Sequence, residues 1–189
     1  MAGESDKEGN IDGAVEICVE SDNDGSIDDG VEIYLSLYRA LQLGKWYDAK
    51  AFIESHPQAI SAKITAKDKT ALHVAAEAGH VHIVEQLVKQ MSEENLEIKD
   101  IYSYTALARA ACNGNYRIAE CMLGKNGNLI SIGDDEGDIP VVTALFNGHL
   151  KLARYLYLLT PQEILMPENG TMGASVVSEA IYNKALGKN

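Results

Sequence analysis

Basic residues are nearly missing from one end of this 189-residue chain. Residues 1–33 hold 11 Asp and Glu against one Lys, while the rest hold 17 acidic against 15 basic residues. A nearly neutral body behind an acidic lead segment has no basic face with which to neutralise phosphates, which argues against nucleic-acid binding. It argues equally against a polybasic membrane-surface protein. Cysteine is scarce as well. Cys18, Cys112 and Cys121 cannot build a disulfide framework in a chain of this size. No apolar run approaches the roughly 18–20 residues that span a bilayer, so no membrane span is expected. The opening Met1–Glu8 is acidic and polar, unlike the basic, then apolar, start of a signal peptide. These shortages point to a soluble protein of a reducing compartment such as the cytosol or nucleus, and a cytoplasmic location is expected, membrane-associated if the chain is part of a longer protein.

Residues 1–30 are Gly, Asp, Glu and Ser with few apolar side chains. Low hydrophobicity with like charge cannot offset the entropy of ordering, so a disordered acidic N-terminal segment is expected there. Within it, Asp22, Asp24, Gly25 and Ile27 sit at spacings of a calcium loop. The pattern fails at both ends: Glu20 stands at its first position and Val31 at its twelfth. A solvated tail is the reading kept.

The folded remainder, 31–189, carries a period. Gly44, Gly79, Gly114 and Gly148 recur at spacings of 35, 35 and 34, each closing a short stretch that holds Ala at 40, 75, 110 or 144. A second amphipathic stretch follows each Gly, with apolar residues at helical spacing, as at Val81, Val84, Leu87 and Val88. The unit is helix, Gly turn, helix, linker. Glycine accepts the left-handed conformation that ends the first helix. No such unit buries its apolar face alone, so the units must stack into an all-α solenoid. The expected units are about 34–64, 65–99, 100–133 and 134–169, with a partial fifth over 170–189. That last half-unit lacks a partner helix, which raises self-association through the C-terminal end.

Thr70-Ala71-Leu72-His73 and Gly79-His80 resemble the ankyrin repeat almost position by position. The third unit keeps Asp100, Thr105 and Leu107, with Ser103 for the hairpin Gly and Ala108 for His. The fourth keeps Asp134, Gly137 and Pro140, with Ile139 for Thr and Val142 for His. The resemblance spans about 34–185. Thr70, Leu72, His73, Gly79, Gly114, Gly137 and Gly148 are its structural positions. More narrowly, Leu37–Lys50, His56-Pro57 and Ala62–Thr65 look like the opening of plant ankyrin proteins linked to defence and stress signalling. Those usually carry a C-terminal transmembrane (PGG) region, absent here, so this chain reads as a fragment, a truncated product or a soluble relative.

The resemblance implies a non-enzymatic protein-protein interaction module, a scaffold or regulator in signalling, with protein partners and no cofactor. Its linkers would project as hairpin fingers. The finger positions expected to touch partners are Lys67 and Lys69, then Ile101, Tyr102 and Tyr104, then Asp135, Glu136 and Asp138. Their character runs from basic to aromatic to acidic. The tyrosines suit either an interface anchor or packing against a neighbouring finger. His73 is expected to tie its turn together. His80 and His82, two apart, do not share a helix face as a metal pair would. Cys112 and Cys121 lack an activating neighbour in the pattern and are expected to pack. His56 and His149 are expected at the surface or in turns. No phosphate loop, nucleophile elbow or metal carboxylate pair is present.

Overall fold

The computed structural model describes residues 32–165. The acidic segment 1–30, its calcium-like spacing and the partial unit at 170–189, with the self-association expected of it, lie outside the described residues.

Eight helices form four pairs: α1 (Leu35–Gln42) with α2 (Trp46–Ser55), and α3 (Ala71–Glu77) with α4 (Val81–Gln90). After the single turn of α5 (Glu93–Leu96) come α6 (Ala106–Cys112) with α7 (Tyr116–Lys125), and α8 (Pro140–Phe146) with α9 (Leu150–Leu159). A last turn, α10, covers Gln162–Leu165. First helices stack in the order α1, α3, α6, α8, and second helices α4 and α7 pack alongside each other. This is the all-α solenoid expected from the period. Among the described residues the only β pairing is an isolated bridge between Lys63 and Thr70.

Each first helix ends the same way. The glycine N–H reaches back three residues and the next N–H five: Gly79 to Ala76 O and His80 to Ala75 O, Gly114 to Ala111 O and Asn115 to Ala110 O. This double bond pattern satisfies the last carbonyls and needs a left-handed residue at its centre. Gly44, Gly79, Gly114 and Gly148 all have φ between 68° and 74°. The alanines at 40, 75, 110 and 144 that supply the five-back carbonyls are buried. Their small side chains let consecutive first helices approach closely. Ala75→Leu would overpack that junction at a cost of about 1–3 kcal/mol. The second helices bury one stripe each: Ile83, Val84, Leu87 and Val88 on α4, then Ile118, Ala119 and Met122 on α7.

The residue after Gly79, Gly114 and Gly148 locks its unit to the one before. His80 Nε2 lies 2.9 Å from Gln42 O and His149 Nε2 2.7 Å from Cys112 O. Asn115 Nδ2 donates to Ala76 O at 3.3 Å. His149 is thus an inter-unit strut rather than a plain turn residue. A Cβ on Gly114 would come within 2.5 Å of its ring, so that glycine supplies room as well as its backbone conformation.

Candidate functional site

The finger side of the stack is built from the backbone up. Asp100 N–H donates to Tyr104 O, and the Asp100 carboxylate accepts from the Tyr102 and Tyr104 N–H groups at 2.9 and 3.1 Å. Asp134 repeats this one unit on, accepting from Glu136 and Asp138 N–H at 3.0 and 2.9 Å. A short acidic side chain that bonds its own backbone two and four residues on fixes each hairpin tip. At the left-handed tip position Gly137 (φ 84°) fits freely, whereas Ser103 is forced to φ 58°. Neighbouring fingers are tied together. Ile101 N–H donates to Lys67 O at 3.2 Å, Lys99 Nζ to Gly133 O at 2.6 Å, and the Ser103 hydroxyl to the Asp135 carboxylate.

Beneath the finger of the third unit (residues 100–104, the third finger, as 134–138 is the fourth) lies a buried ionic network. Lys69 is 3 % exposed, and its ammonium sits 2.9 Å from Glu77 Oε2. Arg109, on α6 and also 3 % exposed, places Nη2 2.6 Å and Nε 2.7 Å from Asp100 Oδ2, and Nε 3.5 Å from Glu77 Oε1. Burial by itself opposes the Arg109 charge, but the Asp100 and Glu77 carboxylates outweigh it and raise its pKa. The guanidinium also lies over two rings, 4.7 Å from the centroid of Tyr104 and 5.4 Å from that of Tyr102.

His73 completes the joint. Its Nδ1 is 3.3 Å from Thr70 N and 2.8 Å from Thr70 Oγ1, and its Nε2 is 3.0 Å from Tyr104 O. The Thr70 amide can only donate, so Nδ1 accepts and the proton resides on Nε2, which donates to Tyr104. Burial lowers the His73 pKa to about 4, so the neutral ring holds this tautomer at physiological pH.

Two expectations change here. Lys69 is not a partner contact, because its charge is consumed inside the fold by Glu77. The tyrosine rings lie against Arg109 of their own unit and still face outward in part. Tyr102 is 38 % and Ile101 49 % exposed, while Tyr104 is half-buried. Asp135 and Glu136 are exposed; Asp138 and Lys67 are half-buried.

Between the third and fourth fingers and the end of α8 is a pocket of about 350 Å³. Ile101, Tyr102 and Phe146 supply apolar wall, and Asp135, Glu136 and Asp138 supply acid. Thr143 also borders it, with a buried hydroxyl that has no hydrogen-bond partner. Phe146 and Thr143 went unnoticed in the sequence because they look like ordinary members of an apolar helix. The one hint was a half-exposed Phe just before an Asn-Gly turn.

Elsewhere the reactive side chains are subdued. Cys112 is buried, and burial with the Glu85 charge raises the half-buried Cys121 thiol, the wrong direction for a nucleophile. His82 meets the edge of Trp46, and His56 stacks on Phe52 at 4.5 Å. Among the described residues no group of three His, Cys, Asp or Glu could hold a metal, and no helix is long and apolar enough to cross a membrane.

The family description "Ankyrin repeats (3 copies)" matches residues 37–131, half of the chain. The chain is similar to the calmodulin-binding transcription activator 2 of Mus musculus, 30% identical over a 130-residue alignment that covers 57% of this chain and 11% of that protein. It is 32% identical over 102 residues to the Homo sapiens protein of the same name, covering 49% of this chain and 8% of that one. The chain therefore spans about a tenth of the length of these relatives.

Proposed function

The chain belongs to the ankyrin repeat family, and on that premise we propose that it is a non-enzymatic protein-binding module that works through its third and fourth fingers. The observation that carries this reading is the exposed Ile101–Tyr102 tip facing Asp135 and Glu136 across a pocket. Aromatic side chains held rigidly beside a concavity are what interface anchors require. Ile101, Tyr102, Tyr104, Asp135, Glu136 and Asp138 form the proposed contact set, with Lys67 of the second finger beside it, and Lys69 drops out. The non-enzymatic part is supported by how the reactive groups are used: His73 is locked neutral and both cysteines of the array are packed.

The finer reading is a scaffold or regulator in signalling, acting in the cytoplasm. It rests on the charge balance, the cysteine usage and the likeness of Leu37–Lys50 to plant signalling proteins. That same likeness supports the alternative, a soluble part of a membrane-anchored plant ankyrin protein. Calmodulin binding and transcriptional activation are named for relatives of which this chain matches about a tenth, and they are not carried over.

Photo-cross-linking in extract tests the surface. A benzophenone side chain at position 102 should capture a discrete protein set. The same group at position 47, 86 % exposed on α2, should not. Ile101→Ala with Tyr102→Ala should weaken the captured partner by about tenfold or more, as loss of central anchors does. Equal capture from both positions would overturn the assignment of this surface.

A further inference from the structure

We propose that the outward face of α9, where it borders α7, is a docking site for this chain's own acidic segment, residues 12–24, laid across it in extended form.

The repeat breaks at the end of α9. The second helices α2, α4, α7 and α9 each have ten residues, so their positions correspond. The last two are Glu54-Ser55, Lys89-Gln90 and Gly124-Lys125 in the first three helices, and all are exposed. In α9 they are Leu158 and Leu159, 74 % and 48 % exposed. Lys89-Gln90 and Gly124-Lys125 stay exposed although another unit stacks beyond each. A unit stacked on the fourth would therefore leave the two leucines uncovered as well, so their cover must come from elsewhere. Lys151, Tyr155, Leu158 and Leu159 stand at i, i+4, i+7 and i+8 and share one side of the helix. The Tyr155 ring lies 4.6 Å from that of Tyr116, itself an exposed residue, which carries the apolar patch onto α7. Contiguous exposed apolar surface of this kind marks an interaction site.

The charge on this face is basic. Helix α9 contains Lys151 and Arg154 and no acid, and α7 adds Arg117. All three are exposed, and among the described residues none is ion-paired. Glu120 of α7 also borders the patch: burial, then Tyr116 and the Glu120 charge, raise the Tyr155 pKa. It is one acid against three cations.

The chain itself carries the complement. Residues 12–24 hold Asp12, Glu16, Glu20, Asp22 and Asp24 and no cation, and Val15, Ile17 and Val19 alternate with Glu16, Cys18 and Glu20. Extended backbone sends successive side chains to opposite sides, so this stretch has one apolar and one acidic edge, the division that the α9 face also shows. A segment too charged to order by itself can order on a surface that supplies cations and apolar area. The reach suffices. Thirteen residues separate Val19 from Glu32 and span at most about 43–47 Å, while three steps between packed helices come to about 24–30 Å. Tethering also raises the effective concentration towards the millimolar range, so a weak contact is filled. Docked there, the segment shields the patch, and the outer face opens only when the segment leaves.

The test uses the full chain, dilute, with a benzophenone side chain in place of Leu158 and the cross-linked peptides located by mass spectrometry. A monomeric product joining position 158 to residues 12–24 is expected, and the same group at position 47 should not give it. Glu16→Gln with Glu20→Gln should cut the yield at least about threefold, as should added salt. Hydrogen exchange checks the contact without the probe. In the parent chain the amides of residues 14–20 should exchange at least about fivefold more slowly than in a free peptide of that sequence. Leu158→Lys with Leu159→Gln, the pair that α4 carries at these exposed positions, should restore the free-peptide rate and leave exchange in α3 and α4 unchanged. Cross-links from position 158 to residues 166–189, links between two copies of the chain, or no recurrent site would overturn the assignment. Free-peptide exchange over 14–20 in the parent chain would do the same, and an undiminished yield in the Gln variant would remove the electrostatic match.

Discussion

The second and fourth units begin from the same pattern and end up with different work. In the second, Thr70 and His73 close the start of α3, and His73 reaches on to the third finger. In the fourth, Ile139 caps nothing with its side chain, Pro140 opens α8 by its fixed backbone alone, and Val142 stands where a histidine would reach. Charges diverge in the same way. Lys69 and Glu77 of the second unit join Asp100 and Arg109 of the third in a buried network of two positive and two negative groups. The acids of the fourth finger line a pocket and face solvent. The lesson is that a polar residue facing into the stack holds it together, whereas one at the finger tip stays at the surface.

The sharpest way to break this contrast is to delete one charge from each region. Arg109→Met should strand the Asp100 carboxylate, while Glu77 keeps Lys69, and cost about 3–5 kcal/mol, the penalty for halving a buried ion pair. Glu136→Gln should stay within about 0.5 kcal/mol, as exposed substitutions do. Urea unfolding of both variants reads the difference. Similar midpoints would mean the network contributes no more than the tip.

Acid should act through the second unit next. The unfolded His73 titrates near 6.5, while burial lowers the folded group to about 4. Between those values the unfolded state binds the extra proton, so stability is full above about pH 6.5 and falls as pH drops towards 4. The loss attributable to this ring approaches about 3 kcal/mol at the lower end. Asp100, Arg109 and Lys69 also act on the ring electrostatically, the first favouring the proton and the two cations opposing it. His73→Gln can still accept from Thr70 at the helix start, but it does not titrate. Stability measured from pH 7 to 4 should fall less steeply in that variant, and identical slopes would remove His73 as the source.

The smallest expected difference separates two glycines. Alanine at either 114 or 148 must adopt a left-handed backbone, costing about 1–2 kcal/mol. At 148 the new methyl would meet open space, but at 114 it would run into His149 and displace the hydrogen bond to Cys112 O. Gly114→Ala should therefore be the worse by about 1 kcal/mol, the value of that bond. Equal thermal midpoints would show that the His149 strut carries no load.

Much of the fold was legible because it is local and repeated. Glycine at a fixed interval, alanine four residues before it and an apolar stripe at helical spacing each have a backbone or packing cause that acts within one unit. The helix pairs follow, and so does the need to stack. His73 as a turn-closing residue was legible for the same reason, since Thr70 lies only three residues away.

The tertiary structure decided where each polar side chain went. Lys69 and Tyr104 look like neighbouring fingertip residues in the sequence, yet one is buried against Glu77 and the other lies under Arg109. His149 and Asn115 look like loop residues until the preceding unit supplies the carbonyls they bond. Phe146 and Thr143 reach the pocket only because the third finger is set beside α8. In each case the partner lies in another unit or across a helix. The local pattern therefore determined what this chain builds, and contacts roughly one repeat apart determined which of its charges stay at the surface. The physical reason is that burial and electrostatic pairing depend on distance in space, which a repeat period constrains but does not specify.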